Sequence, residues 1–502
     1  MIVKTLWINK ERKIAQVSPN IFGSFTENLY NCIYGGVYDP SSLTADVDGF
    51  REDVMDGCRK MGVSSVRFPG GCFAPYYHWI DGIGPKEQRP LTRYRQLEEN
   101  IEVYPPQNHF GTDEYLNWCH KIHAQPYICV NMGSGTPEEA RNWVEYCNGL
   151  AGSRWANLRI INGHPEPYRV KLWALGNEIS APWEFGYTDT PQEYIRKARE
   201  FARVMKAADP TIKLVISGAH FPIDFPHRNW NREVLSALYE YTDYISMHHY
   251  IGHDYKDEIT HVWKELGSQK VHYTLTEYMR LLEDAYQIVR EDIRLINHEK
   301  NEFKQIGIAL DEYNPWYKSD GRMEHFNLSD SLLVGAYFNI FIRNSDVAVL
   351  CNMAQLVNVI PSMICESGGT RFYRQGISYI QEMFLENSGN ESIDAWIDSD
   401  TYAGQYFEKV SYLDVSASYK AITNCVIVNI INRNHELSYS FNIQVAGEVI
   451  KNITGHLLGN DSIDASNSYE QPTRLSIRPT NEILNGIINI PPMSLGVYRV
   501  EL

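Results

Sequence analysis

Several features that mark other classes of protein are missing from this sequence. No stretch reaches the roughly 18 uninterrupted apolar residues of a membrane-spanning helix, and the first residues lack the apolar segment of a secretory signal. Basic residues are not in excess. The net charge is −16, which disfavours a polyanionic partner such as nucleic acid. We therefore expect a cytoplasmic protein with no membrane and no nucleic-acid partner.

Disulfide and metal-binding patterns are also missing. The cysteines number 9 and include no Cys-x-x-Cys motif, which predicts reduced thiols. No His-Glu-x-x-His or comparable ligand spacing occurs, so we predict no metal and no cofactor. Several histidines do crowd one region, but neighbours on a strand point to opposite faces. Scattered structural or surface roles are therefore expected for His220, His227, His248, His249, His253 and His261.

What is present indicates a large globular protein. A chain of 502 residues, of which 43% are hydrophobic and 22% charged, is long enough for two or three domains. Eight strand-like runs alternate with segments of helical periodicity, and these segments are 50–61, 112–123, 137–150, 190–208, 231–241, 283–301, 329–343 and 372–385. This pattern predicts a parallel sheet that closes into a (β/α)8 TIM barrel. The strand-like runs are 21–27, 64–68, 126–131, 171–175, 213–217, 243–248, 306–310 and 346–351.

The pattern changes after residue 386. Long helical runs end, and strands with alternating polarity follow at 425–431, 437–444, 487–490 and 497–500. Such a series predicts an all-β sandwich, jelly-roll-like in form. We therefore divide the chain into an N-terminal strand in 1–20 that pairs with the sandwich, a catalytic barrel in 21–386 and a β-sandwich domain in 387–502.

Two glutamates stand at the ends of apolar, strand-like runs. Glu178 follows the run that begins at Lys171, and Glu312 follows the run that begins at Ile306. In a parallel barrel the C-terminal ends of the strands form the active site, and two facing carboxyls are the catalytic pair of a glycoside hydrolase. Each Glu alone has an ordinary alternative, because an acid after a strand also suits the start of a helix.

The segments around these glutamates are more specific. Residues 173–183 and 310–317 resemble the acid/base and nucleophile segments of glycoside hydrolase family 51, the α-L-arabinofuranosidases. Further matching segments occur in the same order along the chain, at 23–27, 66–71, 77–87, 248–250 and 354–359. The resemblance covers both expected domains. It implies a clan A retaining glycosidase with its acid/base on the fourth strand and its nucleophile on the seventh.

The resemblance also implies a role for each site residue. Glu178 is expected to be the acid/base, with a pKa raised above the usual value for glutamate, and Glu312 the nucleophile. Asn177 resembles the residue that contacts the sugar 2-hydroxyl, while His248 and Tyr250 flank the nucleophile and Arg67 lies near it. The other expected substrate-binding residues are Glu27, Cys72, Trp316 and Gln355.

The implied activity is exo-hydrolysis of terminal α-L-arabinofuranosyl residues of arabinan, arabinoxylan and derived oligosaccharides. The family forms homo-oligomers, hexamers or trimers. The chain departs from the family pattern at Cys72, where many members have Asn, and at Tyr313, Pro315, Ser180 and Ala181. Three alternatives stay open: a clan A β-glycosidase (endoglucanase or β-xylosidase) with the same two glutamates, a non-catalytic carbohydrate-binding protein and a metal-dependent barrel hydrolase.

Overall fold

The computed structural model describes residues 3–94, 103–221, 229–252, 256–317, 325–480, 483–484 and 486–502. Its first strand, β1 (Val3–Gln16), joins the C-terminal sheet. The next eight strands close into a barrel in chain order. They are β2 (Gly23–Phe25), β3 (Ser65–Phe68), β4 (Gln125–Val130), β5 (Leu172–Leu175), β6 (Lys213–Ser217), β7 (Tyr244–Ile251), β8 (Gly307–Pro315) and β9 (Ala348–Met353).

Neighbouring barrel strands are all parallel, and β9 pairs with β2 to complete the ring. The predicted TIM barrel is therefore confirmed. Each of the eight strand-like runs contains or overlaps one of these strands. Each helix returns the chain so that the next strand runs parallel to the last, and such crossovers are nearly always right-handed. A regular alternation of strand and helix is therefore compatible with few other topologies.

The apolar runs of the strands serve two cores at once. Tyr127 and Cys129 of β4 pack in a small cluster inside the barrel with Leu172 and Ala174 of β5. The residues between them face the helices and belong to the large outer core. Successive side chains of a strand point to opposite faces, so a strand buried on both faces is apolar at nearly every position.

Nine α-helices lie in the described part of the chain. They are α1 (Glu52–Lys60), α2 (Thr112–Lys121), α3 (Pro137–Asn148), α4 (Arg154–Ile161), α5 (Pro191–Ala208), α6 (Trp230–Leu238), α7 (Lys256–Lys300), α8 (Leu328–Arg343) and α9 (Gly376–Phe384). The starts of α3 and α5 follow from local chemistry. In each, a threonine (Thr136 or Thr190) accepts a hydrogen bond from the third backbone amide of the helix, and proline occupies the first position.

Three helical segments differ from the sequence pattern. Helix α4 was not predicted. Helix α7 begins well before the predicted segment 283–301 and contains a break at Gly267, whose φ of +78° is not helical. Residues Phe372–Arg374, predicted as helix, form strand β11, and the helix begins at Gly376. The start of α9 is a difference at an element end, where local pattern is weakest, whereas α4 and the first part of α7 are segments that the pattern misses.

The C-terminal part is all β, as predicted. Ten strands form one curled sheet, in the order β19-β18-β22-β16-β15-β12-β1-β17-β21-β20. Two small hairpins, β10 with β11 and β13 with β14, stand apart from it. The strands after the barrel are β10 (Met363–Cys365), β11 (Phe372–Arg374), β12 (Glu391–Ile397), β13 (Thr401–Tyr402), β14 (Val410–Ser411), β15 (Leu413–Lys420), β16 (Cys425–Asn432), β17 (Tyr439–Val445), β18 (Asn452–Gly459), β19 (Arg478–Pro479), β20 (Ile483–Leu484), β21 (Ile487–Ile490) and β22 (Ser494–Glu501).

Strand β1 lies inside this sheet, antiparallel to β12 and parallel to β17. Leu6 and Ile8 are buried in the core of the sheet. The chain thus starts in the C-terminal sheet, crosses to the barrel and returns. The division at residues 20 and 386 stays a prediction. Within the described residues, no helix has both the length and the apolarity needed to span a membrane.

Candidate active site

Polar side chains from seven of the eight strands meet at one end of the barrel. Arg67 lies on β3, His248 and Tyr250 on β7, and Asp311 and Glu312 on β8. The other members follow the C-terminal ends of β2, β3, β5, β6, β8 and β9, and they are Glu27, Cys72, Asn177, Glu178, His220, Trp316 and Gln355. Because all strands are parallel, these ends share one edge of the barrel, the position of the active site in barrel enzymes.

Glu312 is a buried carboxylate held by two donors. Arg67 Nη1 donates to Oε1 at 2.5 Å, and the Tyr250 hydroxyl donates to Oε2 at 2.7 Å. Burial and the adjacent Glu312 charge raise the pKa of Tyr250 well above its usual value, so the phenol keeps its proton and stays a donor. Both contacts hold the carboxylate in one orientation.

Arg67 lies at the centre of the polar network and is fully buried. Besides Glu312, its Nη2 donates to Asn177 Oδ1 at 2.7 Å, and its Nε lies 3.3 Å from Asp311 Oδ2. A buried guanidinium is stable only when its charge and donors are matched by partners. Arg67 therefore orients the amide of Asn177 and one oxygen of Glu312 at the same time.

Asp311, immediately before Glu312, is buried and holds several side chains of the network in place. Its oxygens accept hydrogen bonds from Tyr127 at 2.6 Å and from Ser246 at 2.5 Å, and His248 Nε2 lies 3.3 Å away. Burial alone would raise the pKa of Asp311, but Arg67 and His248 lower it to about 2. Asp311 is thus a permanent negative charge beneath the pair of glutamates.

His248 joins three carboxylates. Its Nε2 faces Asp311, while its Nδ1 lies 2.7 Å from Glu178 Oε1 and 3.6 Å from Glu312 Oε2. Burial lowers the pKa of His248, but Glu312, Asp311 and Glu178 outweigh it and raise the pKa to about 10. His248 is therefore an imidazolium with both ring nitrogens as donors.

The same histidine limits the distance between the two glutamates. Because its Nδ1 is 2.7 Å from Glu178 Oε1 and 3.6 Å from Glu312 Oε2, these oxygens lie no more than about 6.3 Å apart. Retaining glycosidases place their carboxyl groups roughly 5–5.5 Å apart and inverting ones roughly 6.5–9.5 Å apart. This upper limit lies below the inverting range.

Glu178 stands in a sharp turn after β5 and is surrounded by donors. Its φ is +40°, a left-handed conformation that is uncommon for a residue other than glycine. Oε2 accepts a hydrogen bond from the Trp183 indole at 2.7 Å, and His220 Nδ1 lies 3.0 Å from Oε1, beside His248. The turn aims the carboxyl across the barrel mouth, towards β7 and β8.

The expected rise in the pKa of Glu178 is wrong for the free enzyme. Burial does raise it, but the contacts with His220 and His248 lower it well below its usual value. The opposite holds for Glu184, another buried carboxyl of the same loop, whose pKa is raised by burial and then by the charge of Glu178. The pKa values of these two neighbouring carboxyls are thus shifted in opposite directions.

The far wall of the site is built around Glu27. Its Oε1 accepts hydrogen bonds from the backbone amides of Gly71 at 3.1 Å and Phe73 at 2.8 Å, and its Oε2 accepts one from Gln355 Nε2 at 2.7 Å. Glu27 and Gln355 are both buried. This wall offers carboxylate and amide groups of the kind that bind sugar hydroxyls.

The mouth of the site is lined by a thiol and an indole. Cys72 is partly buried, and burial and the charge of Glu184 raise the pKa of its thiol well above the usual value. Trp316 packs edge-on against Tyr250, with ring centroids 5.4 Å apart. The structure thus brings all ten residues predicted for the site to one place.

Gly71 is required by the closeness of Glu312. A Cβ atom at this position would lie 2.7 Å from Glu312 Oε1. In Gly71→Ala the carboxylate must move and lose its alignment with Arg67, so we expect kcat/KM to fall by about 100-fold, the usual effect of a 1 Å misplacement. The thermal midpoint, measured on the same sample, should change little. Unchanged kcat/KM would show that Glu312 tolerates the displacement.

Two family models match successive parts of the chain. The family model "Alpha-L-arabinofuranosidase 1 domain" matches residues 58–284, and the model "Alpha-L-arabinofuranosidase C-terminal domain" matches residues 311–494. Among characterised relatives, the chain is 33% identical to intracellular exo-alpha-(1->5)-L-arabinofuranosidase 1 of Bacillus subtilis over 517 aligned positions, which cover 98% of each protein. The chain belongs to the α-L-arabinofuranosidases of glycoside hydrolase family 51.

Solved structures agree with this assignment. The family 51 α-L-arabinofuranosidase AbfB of Bifidobacterium longum superposes with a TM-score of 0.91 at 27% identity and covers 100% of both chains. The family 51 enzyme of Thermotoga petrophila superposes with a TM-score of 0.86 at 32% identity and covers 99% of this chain and 100% of its own. The barrel and the C-terminal sheet of this family 51 enzyme are both matched.

The histidines are less scattered than expected. His220 and His248 come together at Glu178, where one ring nitrogen of each histidine and one carboxylate oxygen of Glu178 all lie within 4.8 Å of one another. His249 faces the other way, towards the hydroxyl of Tyr337 in α8. His261 is exposed on α7. His227 and His253 lie outside the described residues.

Four residues of the site were not assigned to it from the sequence. They are Asp311, Trp183, Glu184 and His220. His220 follows β6 in the position where a barrel carries active-site residues, so the strand rule that selected the others applies to it too. Asp311 is a charge inside an apolar run, which also points to function. Trp183 and Glu184 lie in a loop, and nothing in local sequence fixes where that loop folds.

Proposed function

We propose that this enzyme is a retaining, exo-acting α-L-arabinofuranosidase that removes terminal non-reducing α-L-arabinofuranosyl residues by double displacement. In this proposal Glu312 attacks the anomeric carbon and Glu178 protonates the leaving oxygen. The observation that carries it is the short separation of these two carboxylates across His248. Its upper limit lies below the inverting range and so suits a covalent glycosyl-enzyme intermediate.

The contacts of Glu312 suit a nucleophile. Arg67 and Tyr250 each take one oxygen and so keep the carboxylate charged and oriented. As the ester forms, the negative charge of Glu312 disappears. His248 then loses the charge that most raises its pKa and becomes a stronger acid. The charge of the network thus differs between the two halves of the reaction.

Sugar recognition is assigned to the polar wall around the two glutamates. Asn177 is held by Arg67 through its oxygen, and its amide nitrogen donates one N–H to Glu184, which leaves the second N–H for a sugar hydroxyl. Glu27 and Gln355 face it from the other side of the barrel mouth. We propose that these residues, together with Cys72 and Trp316, enclose one arabinofuranosyl ring. A site that binds a single terminal ring explains exo action, and the B. subtilis relative is named for such an activity.

The substrate assignment is tested with a panel of aryl glycosides. Because the buried polar groups are left unpaired by the wrong sugar, we expect kcat/KM for the α-L-arabinofuranoside to exceed that for the β-D-xyloside and the β-D-glucoside by about 10³-fold or more. Proton NMR of the first product should show the retained anomer. Faster cleavage of the β-D-glucoside would support the clan A β-glycosidase alternative. Inverted product would exclude double displacement.

A second assay compares kcat/KM on natural substrates: arabino-oligosaccharides, branched arabinan and arabinoxylan. We propose arabinan, arabinoxylan and above all their short oligosaccharides as substrates, since two bacterial relatives carry names that describe intracellular enzymes. The same names support a cytoplasmic location for this enzyme.

The expected homo-oligomer, a hexamer or trimer, stays a prediction. Light scattering on the purified enzyme would decide it, and a mass near the 57.9 kDa of one chain would contradict it.

A further inference from the structure

Glu184 is a buried acid beside the catalytic pair that the double-displacement scheme does not use. Only 4% of its surface is exposed. Asn177 Nδ2 donates to its Oε1 at 3.2 Å, and it forms a hydrogen bond with the Cys72 thiol. One carboxyl oxygen of Glu184, one of Glu178 and the Cys72 sulfur all lie within 4.8 Å of one another. A proton can cross such a distance through the thiol or one water.

The surroundings of Glu178 create the need for a second acid. Its Oε1 faces His248 and His220, and its Oε2 accepts the Trp183 N–H. All three contacts stabilise the charged carboxylate. A charged carboxylate has no proton to donate, yet the first step of glycoside cleavage requires one at this position.

Charge balance places that proton close by. Five carboxyl groups are buried together here, on Glu27, Glu178, Glu184, Asp311 and Glu312. Asp311 and Glu312 contact Arg67, and Glu178 contacts His248. The partners of Glu184 named above are an amide and a thiol, both neutral. Glu27 accepts three hydrogen bonds from N–H donors. Buried like charges this close cannot all ionise, and Glu184, whose named partners include neither a cation nor more than one N–H donor, keeps its proton.

We propose that Glu178 and Glu184 act as a pair that shares one proton, which rests on Glu184 in the free enzyme and passes to Glu178 during cleavage. This inference rests on the proposed function. In the first step Glu184 loses its proton to Glu178, and Glu178 gives that proton to the glycosidic oxygen as the C–O bond breaks. In the second step Glu178 takes a proton from the attacking water, and the proton returns to Glu184. The enzyme ends each cycle with the same number of protons.

The test is Glu184→Gln, which keeps an oxygen that can accept from Asn177 but removes the stored proton. Glu178 is then left with its three donors and stays charged at neutral pH. For phenyl α-L-arabinofuranoside, whose leaving group needs protonation, we expect kcat/KM to fall by about 100-fold. We also expect the alkaline limb of its pH profile to move to lower pH by about one unit or more. For the 2,4-dinitrophenyl glycoside, we expect a change of less than about threefold.

A second variant and a control complete the test. Glu184→Asp keeps a carboxyl and should recover part of the phenyl activity lost in Glu184→Gln, which also tests the inference if the Gln variant folds poorly. Glu145→Gln alters another buried glutamate, which contacts Arg141 on the outer helix α3, and should leave both substrates unaffected.

Two outcomes would overturn the inference. Equal losses on both substrates, with an unshifted pH profile, would show that Glu184 only positions Asn177. Unchanged activity on both would show that Glu178 carries its own proton. Either result leaves the proposed function standing if added azide, which needs no general base, restores turnover of Glu178→Ala. Failure of that rescue would instead contradict the assignment of Glu178 itself.

Discussion

Replacement of Glu312 by alanine should reduce kcat/KM on every α-L-arabinofuranoside by about four orders of magnitude or more. The reason is that the variant has no atom to form the covalent bond. A better leaving group cannot compensate, because the missing step is attack and not protonation. Arg67 would keep its contacts with Asn177 and Asp311, and Tyr250 would keep its packing against Trp316. These remaining contacts should keep the fold near its wild-type stability.

The measurement is a rate comparison between phenyl and 2,4-dinitrophenyl substrates, with circular dichroism as a check on folding. Both substrates should lose activity to the same extent. Tyr250→Phe offers a graded comparison, because it removes only the hydrogen bond to Glu312 Oε2. A Glu312→Ala enzyme that still cleaved the activated substrate at near wild-type rate would remove Glu312 from the role of nucleophile.

Replacement of Glu178 by alanine should give a different pattern. Cleavage of a poor leaving group should fall by about 10²- to 10⁴-fold, the usual contribution of a general acid. With 2,4-dinitrophenyl α-L-arabinofuranoside the first step needs little protonation, so the glycosyl-enzyme should form and then accumulate. A burst of released phenol followed by slow turnover is the expected time course.

Azide distinguishes this assignment from its reverse. The small anion can enter the space left by the Glu178 side chain, and it needs no general base to attack the glycosyl-enzyme. Added azide should therefore accelerate turnover of Glu178→Ala and yield the arabinofuranosyl azide with retained configuration. Rescue of Glu312→Ala with a retained azide product, and of Glu178→Ala with an inverted one, would exchange the roles of the two glutamates.

The protonation states around Glu178 show how far the site depends on its neighbours. From burial alone its pKa is expected to rise, and the structure reverses that direction through His220 and His248. His220 comes from β6 and His248 from β7, both distant from Glu178 along the chain. The acid strength of Glu178 is thus a property of three strands together and not of its own segment.

Much of the fold could be predicted from local pattern. The eight barrel strands are apolar at nearly every position because both of their faces are buried, and that pattern is visible in a single chain. Helices α3 and α5 were predictable to within a residue at their starts, since threonine and proline fix them locally. Helix α4 and the full length of α7 were not, because their apolar faces become meaningful only against the elements that cover them.

The sequence by itself determined the barrel, the all-β C-terminal part and the two glutamates with their immediate segments. Each depends on residues close together in the chain, through hydrophobic period, capping and motif. Only the tertiary structure decided which charges meet. Arg67 pairs with Glu312, His248 lies between Glu178 and Asp311, and Glu184 comes to the site without a cation. Electrostatic energies depend on distance in space and on burial, and neither quantity is written in the order of residues along the chain.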